Sequence, residues 1–207
     1  MTYTARRLTR REQQEQTRVR LIDAANRMFA EGGIIAASLR NLCARAGFSQ
    51  GAFYSNFTSK DELLLSVIER HIQQEVSLMQ ELVSKSDSEG IDGALDRLAC
   101  RLSELARDPQ WSLLSVELQL HSRRDPSFAE RSEKVKMASL REFSILLENL
   151  INRHNLTPVM PVFDLARGLY ALWSGLALQG SIKEALPRDQ VFLSFLRNMI
   201  VTRESRG

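Results

Sequence analysis

The stretch Ser38–Lys60, SLRNLCARAGFSQGAFYSNFTSK, predicts two short helices separated by a tight turn. Ser38 can cap the first helix and Gly47 can close it, while Ser49 can cap the second. The link Gly47-Phe48 is too tight to leave the two helices antiparallel, which is typical of a helix-turn-helix. In such a motif the second helix enters the major groove of DNA.

The second helix of this motif has an aromatic face and a neutral polar face. Phe53 and Phe57 lie four residues apart, so we expect them to share one face and to pack inward. Residues 46–59 carry no charge, although they lie in the most basic part of the chain. A surface without carboxylates can approach base edges and phosphates without repulsion. The residues toward this other side are Gln50, Gly51, Tyr54 and Ser55.

The charge distribution indicates a polyanionic partner for the first sixty residues. The chain has 207 residues and a net charge of +3. Residues 1–60 hold ten basic and four acidic side chains, a net charge of +6, whereas the remaining residues sum to −3. This asymmetry is typical of nucleic-acid binding, although basic arms also bind membranes. Cations surround the neutral helix at Arg40, Arg45, Lys60 and in the N-terminal arm of Arg6, Arg7, Arg10 and Arg11.

Helical periodicity predicts an all-α fold of about nine helices, with no strand. The first helix has an apolar stripe from Leu21 to Phe29 and is predicted to stop at Gly32-Gly33. A capping box at Ser59–Glu62 predicts a long helix to about Val83. Two further helices of the basic part are predicted at 39–46 and 49–56. Those of the body are predicted at about 60–83, 91–105, 110–123, 126–153, 162–185 and 188–203, with a polar loop at 84–90.

Composition excludes several classes of protein. Hydrophobic residues make up 43% and charged residues 26%, values that argue against disorder. The longest uncharged stretch, residues 168–182, is shorter than the ~20 apolar residues of a membrane span. No apolar run follows the N-terminal arginines, as a secretory signal requires. Cys43 and Cys100 cannot form a disulfide framework, which favours a reducing cytoplasm.

Residues 15–75 resemble the DNA-binding domain of TetR/AcrR-type transcriptional repressors. The run from Gly51 to Leu64 is the specific part of this resemblance. The matching features are Ala24-x4-Phe29-x2-Gly32, Ser38-Leu39, Ala46-Gly47-Phe48-Ser49, Gly51-Ala52-Phe53-Tyr54-x2-Phe57 and Ser59-Lys60-x-Glu62-Leu63-Leu64. The resemblance implies a DNA-binding domain over 15–75, with its helix-turn-helix at 38–57, and a helical effector-binding and dimerisation domain over 76–207.

The resemblance also implies roles for single residues. Ser38 would bond a phosphate, Gln50 and the Gly51 backbone would approach bases, and Tyr54, Asn56 and Lys60 would hold phosphates. The alternative is a three-helix packing domain, which does not demand basic flanks around a neutral helix. The predicted DNA-binding set is Ser38, Arg40, Ser49, Gln50, Gly51, Tyr54, Ser55, Asn56 and Lys60.

The last two predicted helices, 162–185 and 188–203, carry apolar residues on more than one face, including Leu176 and Phe195. A helix of this kind is buried on two sides. The resemblance implies that these helices pair with those of a second copy, forming a homodimer through a four-helix bundle. The alternative is that they are core helices of a monomer.

The predicted helix 110–123 has two polar residues, Glu117 and His121, within its apolar arc. Buried polar groups need partners. They either bond an arginine of a neighbouring helix or anchor a ligand in an apolar effector pocket. The predicted ligand-binding set is Trp111, Leu114, Glu117, Leu118, His121, Phe143 and Trp173.

The sequence predicts no catalytic residue, no metal and no cofactor. His71, His121 and His154 have no metal-ligand spacing among themselves or with the two cysteines. We find no phosphate loop and no nucleophile elbow. We therefore predict a homodimeric regulator that binds a double-stranded DNA operator and is released by a small apolar ligand. Two alternatives stay open: a constitutive DNA-binding protein without an effector, and an all-α enzyme.

Overall fold

The computed structural model describes residues 9–36, 38–84, 90–179 and 182–202, with side chains for all of these except 30, 33–36, 109–113 and 201–202. The chain divides into two compact units, residues 1–68 and 69–207, and the division falls within the fourth helix. None of the described helices combines the length and apolarity needed to cross a membrane. The described elements are α1 (Arg10–Ala36), α2 (Leu39–Ala46), α3 (Gln50–Tyr54), α4 (Lys60–Ser84), α5 (Gly90–Arg107), α6 (Pro109–Arg124), α7 (Pro126–Arg153), β1 (Leu156–Pro158), α8 (Val162–Gln179), α9 (Arg188–Met199) and β2 (Ile200–Thr202).

The helices α2 and α3 begin and end where short-range signals place them. Ser38 Oγ accepts a hydrogen bond from the Asn41 N–H at 3.2 Å, and Ser49 Oγ accepts one from the Ala52 N–H at 3.1 Å. Each bond satisfies a backbone donor that a helix start leaves free. Gly47 ends α2 in the left-handed region at φ 75°, which glycine adopts without a Cβ clash. The predicted caps and turn of the motif are confirmed.

Aromatic burial holds α3 in the first unit. Phe53 is fully buried, Phe57 is almost completely so, and their ring centroids lie 5.6 Å apart. Burying one such side chain stabilises a fold by about 1.5–3 kcal/mol. The predicted inward face of the second helix is therefore confirmed. Other buried residues of this unit include Leu21, Ala24, Ala25, Phe29, Leu42, Leu63 and Leu64.

The predicted capping box at the start of α4 forms with a changed partner. Ser59 Oγ accepts from the Glu62 N–H at 3.1 Å, as expected. The Glu62 carboxylate instead accepts from the N–H and the hydroxyl of Thr58, at 2.7 and 2.8 Å. Burial alone would raise the pKa of Glu62, but these bonds and the nearby Arg18 lower it below its ordinary value. Glu62 therefore stays charged and ties the link between α3 and α4 to the first turn of α4.

The core of the second unit joins α4, α5, α7, α8 and α9. It is built mainly of leucines, and β1 and β2 close one side of it as an antiparallel pair with Leu156 opposite Thr202. The half-buried residues that pack against this core include Phe143, Leu172, Trp173 and Leu193.

Several predicted boundaries are wrong. The helix α1 continues through Gly32-Gly33 to Ala36, because glycine costs a helix only ~1 kcal/mol and packing can offset that. The helix predicted at 162–185 extends to Gln179 in the described part. Residues 182–185 are described and are not helical, and 180–181 lie outside the described part. The helix predicted at 188–203 ends at Met199, since Ile200–Thr202 pairs with β1. The prediction of no strand is therefore wrong as well. Residues 85–89 of the predicted polar loop lie outside the described part.

Candidate DNA-binding surface and effector region

Most of the predicted DNA-binding residues lie on the solvent side of α2 and α3. The buried Phe53 and Phe57 occupy the other side of α3 and its end. The predicted contacts on α3 therefore lie opposite its buried aromatic side. Seven of them are exposed, namely Ser38, Arg40, Ser49, Gln50, Gly51, Tyr54 and Ser55, and two are half-buried, namely Asn56 and Lys60. Arg6 and Arg7 of the predicted arm lie outside the described residues.

Tyr54 is the largest exposed side chain of α3. It is 60% exposed, and its ring packs edge-on against Phe53 with centroids 5.2 Å apart. A tyrosine held in this way has a fixed apolar body and a polar tip that can reach a partner. Tyr54 is therefore well placed to donate to a phosphate beside α3.

Two of the predicted polar contacts have hydrogen bonds within the motif itself. The Ser55 hydroxyl donates to the Gly51 carbonyl at 3.0 Å, and the Asn56 amide donates to the Ala52 carbonyl at 2.8 Å. Asn56 Oδ1 is buried without a hydrogen-bond partner. An amide oxygen accepts but does not donate, so it cannot bond a phosphate. The amide nitrogen has a second N–H besides the one that bonds Ala52, so the phosphate contact that the resemblance implied stays a prediction.

Gly51 is exposed, and nothing inside the fold requires a glycine there. An added Cβ would meet Ser49 Oγ at 3.7 Å, an ordinary van der Waals distance. Its φ is not among the positive values, which for described glycines are those of Gly47 and Gly90. The missing side chain leaves the backbone of α3 open to close approach from solvent at this position.

The predicted effector residues lie on α6, α7 and α8, which contact one another pairwise. Leu114, on α6, is buried. The side chain of Trp111 lies outside the described part. The other predicted residues, Glu117, Leu118, His121, Phe143 and Trp173, are half-buried.

Two of these residues have aromatic partners. The His121 ring lies 4.2 Å from that of the fully buried Phe128. Trp173 packs edge-on against Phe192 at 5.5 Å, and the Arg188 guanidinium carbon lies 4.1 Å from its ring centroid. A cation over an indole is attracted to the ring face. Both predicted residues thus form part of the packing between helices.

A cleft of about 350 Å³ opens between the ends of α4 and α7. Its volume is at the lower end of the range for small-molecule sites. None of its lining residues was predicted, because no periodic or polar signal in the sequence connects the two helix ends. The cleft is lined by Gln80, Val83, Ser84, Leu146, Asn149 and Arg153.

Two titratable groups are held neutral by burial. Burial raises the pKa of the Cys43 thiol, so this thiol is less easily ionised than a free one. Burial lowers the pKa of His71 to about 4, with a smaller contribution from Arg101 against the opposing effect of Asp108. Both groups are therefore uncharged at pH 7, as is usual for packed side chains.

A neutral exposed helix, held by capped ends and flanked by cations, defines a helix-turn-helix DNA-binding protein. Residues 21–67 match the family model of bacterial regulatory proteins of the tetR family. Residues 21–67 therefore form a TetR-type DNA-binding domain, and the chain is a DNA-binding transcriptional regulator. This family comprises transcriptional regulators and not enzymes.

Curated relatives match over most of the chain. The nicotine-responsive transcriptional repressor HdnoR of Paenarthrobacter nicotinovorans is 28% identical over 174 residues, covering 84% of this chain and 88% of that protein. The transcriptional repressor NemR of Escherichia coli K12 is 26% identical over 194 residues, covering 91% of this chain and 96% of that protein.

Solved structures share the fold. A transcriptional regulator of Streptomyces coelicolor A3(2), SCO7518, superposes with a TM-score of 0.66 at 25% identity, covering 89% of this chain and 98% of that one. A TetR-family regulator of Mesorhizobium loti MAFF303099 superposes with a TM-score of 0.70 at 17% identity, covering 94% and 100%.

We predict that Gly51→Ala has opposite effects on stability and on DNA binding. Alanine suits a helix better than glycine by about 0.5–1 kcal/mol, and the added Cβ has room, so the free energy of unfolding should rise. The same methyl group should keep DNA away from α3 and weaken operator binding. Urea denaturation and DNA titration measure the two effects. An alanine variant that binds the operator as tightly as the wild type would contradict the close approach of DNA to Gly51.

Proposed function

We propose that the protein is a cytoplasmic repressor that binds a palindromic operator as a homodimer and leaves it when a small apolar ligand binds to the second unit. The observation that carries this proposal is the neutral, exposed face of α3, with cationic and phenolic groups around it. A constitutive DNA-binding protein without an effector would share this face, and only a response to a ligand separates the two.

On the DNA side, Gln50 and Gly51 would meet base edges, while Tyr54 and Lys60 would meet phosphates. Glutamine can bond adenine through both groups of its amide in the major groove. Lys60 is the first residue of α4, where the helix dipole favours anions. The exposure of Gln50, Gly51 and Tyr54 supports this assignment.

An apolar strip on α8 and α9 supports a homodimer. Gly168, Ala171, Gly175 and Leu178 follow helical spacing on α8, and an added Cβ at either glycine would meet no atom within 4 Å. Leu178 is 53% exposed, and Phe195 on α9 is 49% exposed. Small residues beside exposed apolar ones allow close packing of helices, and helix-turn-helix proteins act in pairs on two half-sites. We therefore assign a second copy of the chain to this strip.

The effector would enter among α6, α7 and α8, near Leu114, Leu118, Phe143 and Trp173, with Glu117 or His121 as polar anchors. Apolar walls with few polar groups are typical of small-molecule sites. The relative HdnoR is named as nicotine-responsive, which supports a small organic effector here too. A hundredfold loss of operator affinity needs about 2.7 kcal/mol of coupling, within the usual range for allostery.

We predict that Lys60→Ala and Gln50→Ala weaken DNA binding in different ways. Loss of a phosphate contact should weaken binding to every sequence. It should also reduce the slope of log affinity against log salt concentration by about one, since one fewer counterion is released. Loss of a base contact should reduce discrimination between operator and random DNA by about 1–3 kcal/mol. Titrations of both DNAs at several salt concentrations separate the two effects. Equal losses on both DNAs for Gln50→Ala would contradict its role at the bases.

We predict that Phe195→Glu converts a dimer into a monomer, because the interface would bury an unpaired charge. Ile145→Glu is the matched control, since Ile145 is 44% exposed but lies on α7. Leu176, expected to face outward from the periodicity, is half-buried and is the poorer choice. Sedimentation at micromolar concentration should show a dimer for the wild type and the control. A monomeric wild type would refute the proposed assembly.

We predict that a ligand that releases the operator also changes tryptophan fluorescence. The chain has two tryptophans, Trp111 and Trp173, and both belong to the predicted ligand-binding set. Glu117→Gln should weaken the response if Glu117 anchors the ligand. Gln80→Ala, in the cleft between α4 and α7, is the control. If the control loses its response while Glu117→Gln keeps it, the effector site lies in that cleft instead.

A further inference from the structure

Three side chains of α1 donate hydrogen bonds to backbone carbonyls at or just beyond the ends of α2 and α3. Arg20 Nη2 donates to the Ala46 carbonyl at 3.2 Å. Arg18 Nη1 donates to the Asn56 carbonyl at 2.7 Å, and Gln14 Nε2 donates to that of Ser55 at 3.1 Å. The last carbonyls of a helix have no partner within it and favour a cation. The helix α1 thus caps both helices of the motif.

Each arginine also lies over a phenylalanine that follows, within two residues, the carbonyl that it caps. The Arg20 guanidinium carbon is 4.7 Å from the ring centroid of Phe48, and that of Arg18 is 4.2 Å from that of Phe57. A guanidinium over an aromatic face is attracted electrostatically. The same pairing of carbonyl and ring therefore occurs at both helix ends.

Arg18 extends this arrangement to α4. Its Nη2 donates to Ser66 Oγ at 3.0 Å, and its Nη1 lies 3.6 Å from the Glu62 carboxylate. The guanidinium is a rigid planar fork, so one arginine can hold several acceptors in a fixed geometry. The end of α3 and the start of α4 are thereby tied to one side chain of α1.

We propose that Arg18 and Arg20, assisted by Gln14, are positioning residues for DNA recognition that set the pose of α3 without touching DNA. This proposal rests on the proposed function. The helix α3 has five residues, too few to be stable alone, so its direction depends on its surroundings. Base contacts need hydrogen-bond distances, and a small rotation of α3 would remove them.

On this proposal, some basic side chains of the first sixty residues bind DNA phosphates and others hold the fold of the motif. A cation that neutralises a phosphate releases a counterion and steepens the salt dependence of binding. Arg18 and Arg20 are engaged by carbonyls and rings, so they should not contribute to that dependence. Loss of either arginine should instead lower the ratio of operator affinity to random-DNA affinity.

The test compares Arg18→Met and Arg20→Met with Arg27→Met, which removes the same charge from an exposed position of α1. The operator is a duplex that the wild-type protein selects from a random pool. We expect the ratio of operator to random affinity to fall about tenfold or more in the first two variants, as for one lost base contact. Their salt dependence on random DNA should stay within error of that of Arg27→Met, whereas Lys60→Ala should reduce it by about one ion.

Two further variants keep the test decisive if a methionine variant does not fold. Arg18→Lys keeps the charge but loses the fork, and Gln14→Ala removes an exposed amide whose loss the fold should tolerate. Both should lower the ratio, Gln14→Ala by a smaller factor. A reduced salt dependence in Arg18→Met or Arg20→Met would show direct phosphate contact and overturn the proposal. An unchanged affinity ratio in folded variants would also overturn the proposal, because the residues would then serve only the packing of the fold. A wild type that selects no sequence would instead refute the proposed function.

Discussion

The burial of Phe53 and Phe57 is the constraint on which the DNA-binding unit depends. A five-residue helix cannot form by itself in water, because nucleation costs more than so few hydrogen bonds return. The two rings lie on one side of α3 and its end, and their removal from water supplies the missing stabilisation. The same burial decides which residues stay outside. Gln50, Gly51 and Tyr54 are exposed because Phe53 and Phe57 turn the other side of α3 inward.

Charge in this unit has two different uses. The net charge of +6 in residues 1–60 suggests that its cations serve one polyanion. The structure divides them, since Arg18 and Arg20 bond carbonyls at helix ends and Arg45 pairs with Glu31. A guanidinium engaged by carbonyls and a ring stabilises the fold more than it attracts phosphate. The exposed Arg40 remains part of the electrostatic surface of this unit.

In the second unit, apolar residues serve the core and the surface together. Leu165, Ala166 and Leu169 of α8 are buried, whereas Leu178 farther along the same helix is half-exposed. A helix with apolar residues on two sides can pack against its own core and against a second chain. The two-sided apolarity that predicted a dimer is therefore seen in the structure as an inner core face and an outer strip, and the partner on that strip stays a proposal.

The sequence by itself determined the elements that depend on neighbours in the chain. The caps at Ser38, Ser49 and Ser59 and the left-handed turn at Gly47 follow from bonds within three or four residues, so local pattern was enough. Helix count and the inward face of Phe53 and Phe57 followed from periodicity alone.

Only the tertiary structure decided what depends on distant residues. The helix α1 passes Gly32-Gly33, and residues 200–202 pair with 156–158, which lie more than forty positions away. Arg18 reaches Asn56 and Ser66, and the cleft between α4 and α7 joins residues far apart in the chain. Such contacts depend on how helices pack, and local propensities of about 1 kcal/mol or less are too weak to specify them.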